Sequence, residues 1–314
     1  MGRAIGANAR VISVFESVVG TVPNSAAAWG KIPLASHSLG EERPLITSDL
    51  IGLGREMQDP TPDVATNDGD MVVPVDVRNF GKWLKLFFGA PTTTGSTGDY
   101  EHAFVSGASA LPSMAIEIGA PEVPSFSVMR GARGNQLRIG MSRSGLLNAQ
   151  CSLVCIGETD PVSATVGAAS PAEMAVLRFP QAAGYVKKDG VALGSVIGAD
   201  FVYSNDLEKV ETIQADGRIE DSDPGQAMMS GSVTVRFKDN TLQTAATSGT
   251  PIDLTFGWTV GDFSLMFDVP RVFLPKAKRS ITGPKGIQAV FNWQASGALG
   301  HAVTATLAND VASY

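Results

Sequence analysis

The chain has 314 residues, of which 44% are apolar and 18% charged, with a formal net charge of −7. At about 100–200 residues per domain the length favours two domains and a core that needs no disulfide or metal staple. An acidic chain with two cysteines excludes a disulfide framework and a general phosphate-binding surface, and no run reaches the roughly 18 uncharged apolar residues of a membrane-spanning helix.

At the N-terminus, Arg3 and Arg10 precede an apolar run. Glu16 breaks that run and no small-residue cleavage site follows, so it does not read as a secretory signal. Short stretches rich in Val, Thr, Phe and Ile follow, among them Val72–Val77, Ala115–Ile118, Gln136–Met141, Ser152–Ile156, Ser232–Phe237, Phe263–Val269, Gln288–Trp293 and Ala302–Leu307. Several alternate apolar and polar with period two, and Gly and Pro punctuate the gaps. That pattern predicts an all-β sandwich or barrel. One helix stands out at Asn79–Phe88. Phe80, Trp83, Leu84 and Phe87 form a single apolar stripe, Asn79 is the expected cap, and Gly89 with Pro91 ends it. Cys151 and Cys155 lie on one strand face roughly 13 Å apart, too far to bond.

The chain carries an internal repeat. Val73-Pro-Val-Asp-Val77 recurs as Val233-Thr-Val-Arg-Phe237, and Gly89-Ala-Pro91 as Gly249-Thr-Pro251, at one offset. Ser113–Ile118 matches Ser264–Val269, Gly134–Gln136 matches Gly286–Gln288, and Ser144–Leu147 matches Ser296–Leu299, at slightly smaller offsets. Residues 1–160 are therefore expected to be an N-terminal arm and first domain, 161–174 a linker, and 175–314 a second copy. Each copy reads as a long ribbon, a helix, a hairpin and a second hairpin. The ribbons are Leu39–Gly54 with Asp70–Val77, and Phe201–Ile219 with Met228–Phe237. The hairpins are Tyr100–Ile118 and Asn135–Ile156, then Pro251–Val269 and Gly286–Leu307. Asp239–Ser248 takes the helix position in the second copy, with much less apolar content, which leaves a helix there undecided.

Chemistry-bearing constellations are sparse. His37, His102 and His301 are isolated and lack metal-helix spacing. Gly140–Ser144 has Ser where a nucleophile elbow needs its final Gly. Asp68-Gly-Asp70 and Asp221-Ser-Asp223 read as solvated turns before calcium loops. No catalytic residue, metal ligand or cofactor is expected. Basic groups Arg130, Arg133, Arg138 and Arg143, then Lys276, Lys278, Arg279 and Lys285, fall at corresponding places in the two copies. With no aromatic platform beside them they suit contacts to a neighbouring acidic surface better than nucleic acid. Arg43, Arg55, Arg130, Arg133, Asp63, Asp68, Arg218, Asp221, Asp223, Lys276, Lys278 and Arg279 are the candidate inter-subunit residues.

On Glu42–Gly52 with Arg55, Phe80–Thr92, Tyr100–Phe104, Leu111–Glu117, Tyr185–Gly190 and Thr282–Gln288 with Phe291 and Trp293, the sequence resembles the tail tube proteins of long-tailed bacteriophages, in their duplicated-domain form. The resemblance implies a mainly β fold: two tandem tail-tube-type β-sandwiches or half-barrels, each with a flanking helix. It implies homotrimer rings of pseudo-sixfold symmetry, stacked head to tail around a β-barrel lumen that conducts DNA passively, with the ribbons and N-terminal arm reaching the adjacent ring. Tail initiator or tip proteins, a terminator and a tape measure protein are the implied partners, with no membrane. The implied location is the virion tail, and the host cytoplasm during assembly. Net charge alone suggests an acidic lumen. The competing reading is a monomeric tandem β-sandwich binding module, for example for carbohydrate.

Overall fold

The computed structural model describes residues 2–24, 26–276, 278 and 286–314. The first half contains β1 (Arg10–Phe15), β2 (Gly30–Lys31), β3 (Ser36–His37), β4 (Gly40–Glu42), β5 (Leu45–Ile46), β6 (Thr61–Pro62), β7 (Thr66–Pro74), α1 (Phe80–Phe88), β8 (Thr92–Ser96), β9 (Asp99–Val105), β10 (Met114–Ala120), β11 (Ser125–Ser142), β12 (Asn148–Val154) and β13 (Gly157–Glu158). The second contains β14 (Tyr185–Lys188), β15 (Val191–Ala192), β16 (Val196–Ser204), β17 (Glu208–Val210), β18 (Asp221–Asp223), β19 (Met228–Arg236), α2 (Thr241–Ser248), β20 (Ile252–Val260), β21 (Phe263–Phe273), β22 (Gln288–Ala295) and β23 (Thr304–Asn309). The fold is mainly β and its named strand pairs are antiparallel, as the short alternating runs predict.

The order of pairing runs in two parallel series. In the first half β2 pairs β1, β1 pairs β10, β10 pairs β11, β11 pairs β12, β12 pairs β7, and β7 pairs β3 and β4. In the second β15 pairs β14, β14 pairs β20, β20 pairs β21, β21 pairs β22, β22 pairs β19, and β19 pairs β16. A bulge interrupts β10–β11 between Met114 and Ile116, and β20–β21 between Ile252 and Leu254. The β8–β9 hairpin is an extra in the first half.

Pairing position also corrects several sequence expectations. In order of pairing β10 holds the place that β20 holds in its series, whereas the sequence match sets Ser113–Ile118 against Ser264–Val269 of β21. Tyr100–Ile118 is no hairpin, because β9 pairs β8 and β23 while β10 pairs β1 and β11. Gly286–Leu307 is none either, because β22 pairs β19 and β21 whereas β23 pairs β21 and β9. The glycine between them with left-handed backbone is Gly300, φ 105°. Each half carries a ribbon, but the first is displaced from its expected place: β3 and β4 pair Thr66–Val72 and β5 pairs β6, so Leu39–Gly54 does not face Asp70–Val77, while the second pairs β16 with β19 and is extended by β17–β18.

α1 buries Phe80, Trp83, Leu84 and Phe87, together with Leu86 and Phe88. Each such side chain contributes about 1.5–3 kcal/mol on burial. Asn79 does not cap it. Asp76 does, its Oδ2 accepting the backbone N–H of Asn79 at 3.0 Å and of Arg78 at 3.3 Å, while the Asn79 amide donates to the same oxygen at 2.8 Å. Burial pushes the Asp76 carboxyl up, and these donors oppose it. Gly89, φ 91°, closes the helix as expected. Thr241–Ser248 is a helix in spite of its polar composition. Leu242, Ala245 and Ala246 make a narrow buried stripe at i, i+3 and i+4.

The halves are joined in one sheet by β11–β16, which runs from Gln136↔Ser204 to Ser142↔Gly198. One apolar core extends from Val11 to Leu307 across both. Residues 161–174 are fastened along the first half. Val162 bridges Phe126, Ala172 bridges Gly30, and the fully buried Glu117 accepts Thr165 Oγ1 at 2.6 Å and the N–H groups of Val166 and Gly167 at 2.6 and 2.8 Å. Cys151 and Cys155 are free thiols, both buried, and burial raises both.

Candidate subunit interface

Three surfaces are built by this arrangement. The first is a broad polar face on the sheet β3/β4–β7–β12–β11–β16–β19–β22. Strand alternation sends Met71, Val73, Leu137, Ile139, Phe201, Tyr203, Val233, Phe291 and Trp293 into the core. The opposite face carries Asp68, Asp70, Gln136, Arg138, Gln150, Ser152, Asp200, Ser230, Ser232, Thr234, Arg236 and Asn292. Its carboxylates are held by local donors. Gln150 Nε2 and Ser152 Oγ both donate to Asp70, and Ser232 Oγ donates to Asp200. With the exposed Glu42, which pairs Thr66, four acids stand against two arginines, so this face carries a small net negative charge and is rich in hydroxyls and amides.

The second surface lies where the two ribbons end side by side. Arg218 donates from Nε to Glu41 Oε2 at 2.7 Å and from Nη2 to the Glu158 carbonyl at 2.7 Å. Arg43 donates to Glu41 Oε1 at 2.9 Å and to the Asp216 carbonyl at 2.7 Å. Burial works against the Glu41 carboxylate, but the Arg218 and Arg43 donors overcome it and hold its pKa at about 2. Arg133 pairs with Asp221 at 2.6 Å, Lys209 with Asp68 at 2.8 Å, and Arg130 with Asp216 at 3.7 Å. The Ala65 N–H donates to the Gly217 carbonyl at 2.8 Å. Between these segments sits a cavity of about 290 Å³, and at its wall the buried Asn67 Oδ1 has no hydrogen-bond partner among the described residues.

Six of the twelve sequence candidates, Arg43, Arg130, Arg133, Asp68, Arg218 and Asp221, are thus brought together inside the chain. Arg55, Asp223, Lys276 and Lys278 are exposed and Asp63 is half-buried, its carboxylate accepting the Val64 N–H at 2.8 Å. Arg279 lies outside the described residues, as do Lys285 and the Thr282–Lys285 part of the resemblance.

The third surface was missed by reasoning on charge. The segment 45–57, beyond the β4–β7 pairing, exposes Leu45, Ile46, Leu50, Ile51, Leu53 and Met57, with Ile51 94% exposed. Six large apolar side chains in thirteen positions without a core to fill mark an interaction surface. The run Leu50-Ile-Gly-Leu53 was the available signal.

His102 is structural. Its ring nitrogens lie 2.8 Å from Thr93 Oγ1 and 2.8 Å from the Val311 carbonyl. Among the described residues no group of three or more His, Cys, Asp or Glu side chains could hold a metal, and no helix is long and apolar enough to cross a membrane.

A search of curated proteins returns no match. A family model described as "Phage tail tube protein" matches residues 6–295, through both halves and all three surfaces. With most of its length matched, the chain belongs to the phage tail tube protein family, whose role is structural and whose place is the virion tail.

Proposed function

We propose that this chain is a tandem repeat, with first unit 1–160, connector 161–174 and second unit 175–314, and that three copies close a ring of six units that stacks head to tail into a tube. The observation that carries this reading is the repeated pairing order, with one bulge in each of the pairs β10–β11 and β20–β21. Two equivalent units in one chain supply a two-fold multiple of whatever rotation closes the ring, and three chains then supply six.

The polar face of the long sheet is the surface we assign to the lumen. Its hydroxyls and amides stay hydrated, and its two arginines are too few to hold a phosphate backbone, so DNA passes without sticking. The apolar segment 45–57, the exposed Arg55, Asp223, Lys276 and Lys278, and the half-buried Asp63 are the proposed contacts between copies. The tip or initiator, terminator and tape measure proteins are the proposed assembly partners, met in the host cytoplasm, and the protein is not an enzyme. No observation favours a carbohydrate module. Trp29, Trp83, Trp258 and Trp293 are all buried, and such a site needs exposed aromatics. Electron microscopy of the purified protein tests the reading. Hollow rings or tubes are expected, and a compact monomer at every concentration would contradict it.

A further inference from the structure

In the seam that joins the two halves, β11 lies opposite β16, and one residue beyond β16 the Asn205 N–H donates across to the Asn135 carbonyl at 2.8 Å. The same position recurs at the outer edge of the first half. Ser204 pairs Met228 and Gly40 pairs Asp68, and Met228 and Asp68 differ by 160, the offset that relates Val73 to Val233. Glu41 therefore holds in the first half the place that Asn205 holds in the second. Its N–H meets no strand. Glu158 Oε2 accepts it instead, at 2.9 Å.

Glu158 lies on β13, which pairs Met129 and Arg130 of β11. Its Oε2 also stands 4.0 Å from where a Gly40 Cβ would lie, so the carboxylate covers the β4 backbone at two successive residues. The main chain beneath it is fixed. The Glu158 N–H donates back to Glu41 Oε2 at 3.3 Å, and Arg218 Nη2 donates to the Glu158 carbonyl at 2.7 Å. The side chain is less secured, because among the described residues its carboxylate forms no ion pair and accepts only the Glu41 N–H. A cavity of about 430 Å³ opens beside it, lined by Glu158 itself, Arg130 and Arg218 among others. Arg130 pairs there with Asp216 at a loose 3.7 Å. The carboxylate thus has two places to go. Over the edge it satisfies an N–H that would otherwise lack a partner. In the cavity it would meet two guanidinium groups, once some other acceptor took that N–H.

We propose that Glu158 is an autoinhibitory gate on the β4 edge. In the free chain its carboxylate caps the Glu41 N–H and sets a negative charge against the carbonyls of any approaching strand, and charge is one of the means by which natural edges are kept from pairing. When a second copy of this chain reaches that edge, it supplies the acceptor and Glu158 turns towards Arg130 and Arg218. The gate has to move before the contact forms. It therefore slows association and leaves the stability of the finished contact little changed. Asn205 needs no such gate, since its seam is closed within the chain. This deepens the tube reading and rests on it.

Polymerisation of the full chain, followed by light scattering, is the test. Glu158→Ala should shorten the lag about tenfold, as the loss of one hydrogen bond would give. Glu158→Gln keeps an oxygen that can accept the Glu41 N–H and should stay nearer to wild type. Glu173→Ala, which removes an exposed acid paired with Lys31, should change the lag by less than about twofold. An unchanged or longer lag in Glu158→Ala overturns the proposal, and so does an equal shortening in Glu173→Ala, which would mark a general effect of charge. Hydrogen exchange in the free chain gives a readout that needs no assembly. The Glu41 amide should exchange about tenfold faster in Glu158→Ala than in wild type, and equal rates overturn the gate. Should Glu158→Ala fail to fold, Glu158→Met, which keeps the stem and lacks the oxygens, takes its place in both measurements. Tubes that grow equally fast with and without Glu158 contradict only this proposal, whereas chains that never assemble, wild type and variant alike, contradict the tube reading as well.

Discussion

Glu41 is the residue on which the two ribbon ends depend. Two arginines donate to its carboxylate, and one of them, Arg218, belongs to the other half of the chain. Its pKa in the fold, about 2, lies below the ordinary 4.5. The stabilisation is therefore complete above about pH 4.5 and is lost as pH falls from there towards 2. Arg218→Met should lower stability at neutral pH by about 1–3 kcal/mol. It should also flatten the dependence of melting temperature on pH between 4.5 and 2, which thermal melts across that range would detect. A melting curve of unchanged pH dependence would contradict the assignment. Gly81 gives a second residue-level prediction. The Tyr314 ring covers it so closely that an added Cβ would meet Tyr314 Cζ at 2.1 Å. That ring is tied down by Tyr314 Oη donating to the Arg78 carbonyl at 2.6 Å and by Lys85 Nζ donating to the Tyr314 carbonyl at 2.9 Å. Gly81→Val should expel Tyr314 and cost about 1–3 kcal/mol, read by denaturant unfolding and by faster exchange at residues 310–314.

At the scale of elements, legibility followed the strength of the local pattern. α1 was plain in the sequence because its apolar stripe is wide. α2 was not, because a helix lying on the rim needs only Leu242 and two alanines to dock. The second ribbon was legible from Val233–Phe237, whose alternation is strict, while the first was placed too far along the chain, because Val73–Val77 lies beyond the residues that pair β3 and β4. The match of Ser113–Ile118 to Ser264–Val269 sets β10 against β21, where the order of pairing sets it beside β20, because short strands carrying an acid near their end resemble one another. The Asp76 cap was hidden because it sits three residues before the residue that looked like the cap. The six internal ion-pairing candidates were recognised as charges, but sequence carries no sign of which partner a charge will meet. Arg133 and Asp221 are 88 positions apart and touch only because β11 pairs β16. The loop beyond the first ribbon yields its own prediction. Replacing residues 48–58 with a short Gly/Ser turn removes exposed apolar groups without opening the core, so monomer stability should change by less than about 0.5 kcal/mol. Light scattering should then find polymerisation abolished. Normal polymer growth in that variant would remove the loop from the interface.

For the molecule as a whole, the same pairing list explains both why the chain folds alone and why it should not remain alone. One continuous core stabilises both halves, while the long sheet ends at β3 and β4 on one side and at β22 on the other, where among the described residues β21 pairs it only at Val272↔Ala295 and Phe273↔Gln294. Closure of such a sheet on copies of itself removes those edges, as in any barrel. The polar face then becomes an inner wall, and the segment 45–57 is left to meet the next layer. Cryo-electron microscopy of assembled protein tests this most directly. Rings of three chains should be resolved, with six alike units around a hollow bore lined by Gln136, Ser152, Asp200 and Ser232. A solid filament, or a ring whose two halves of each chain occupy unlike positions, would contradict it.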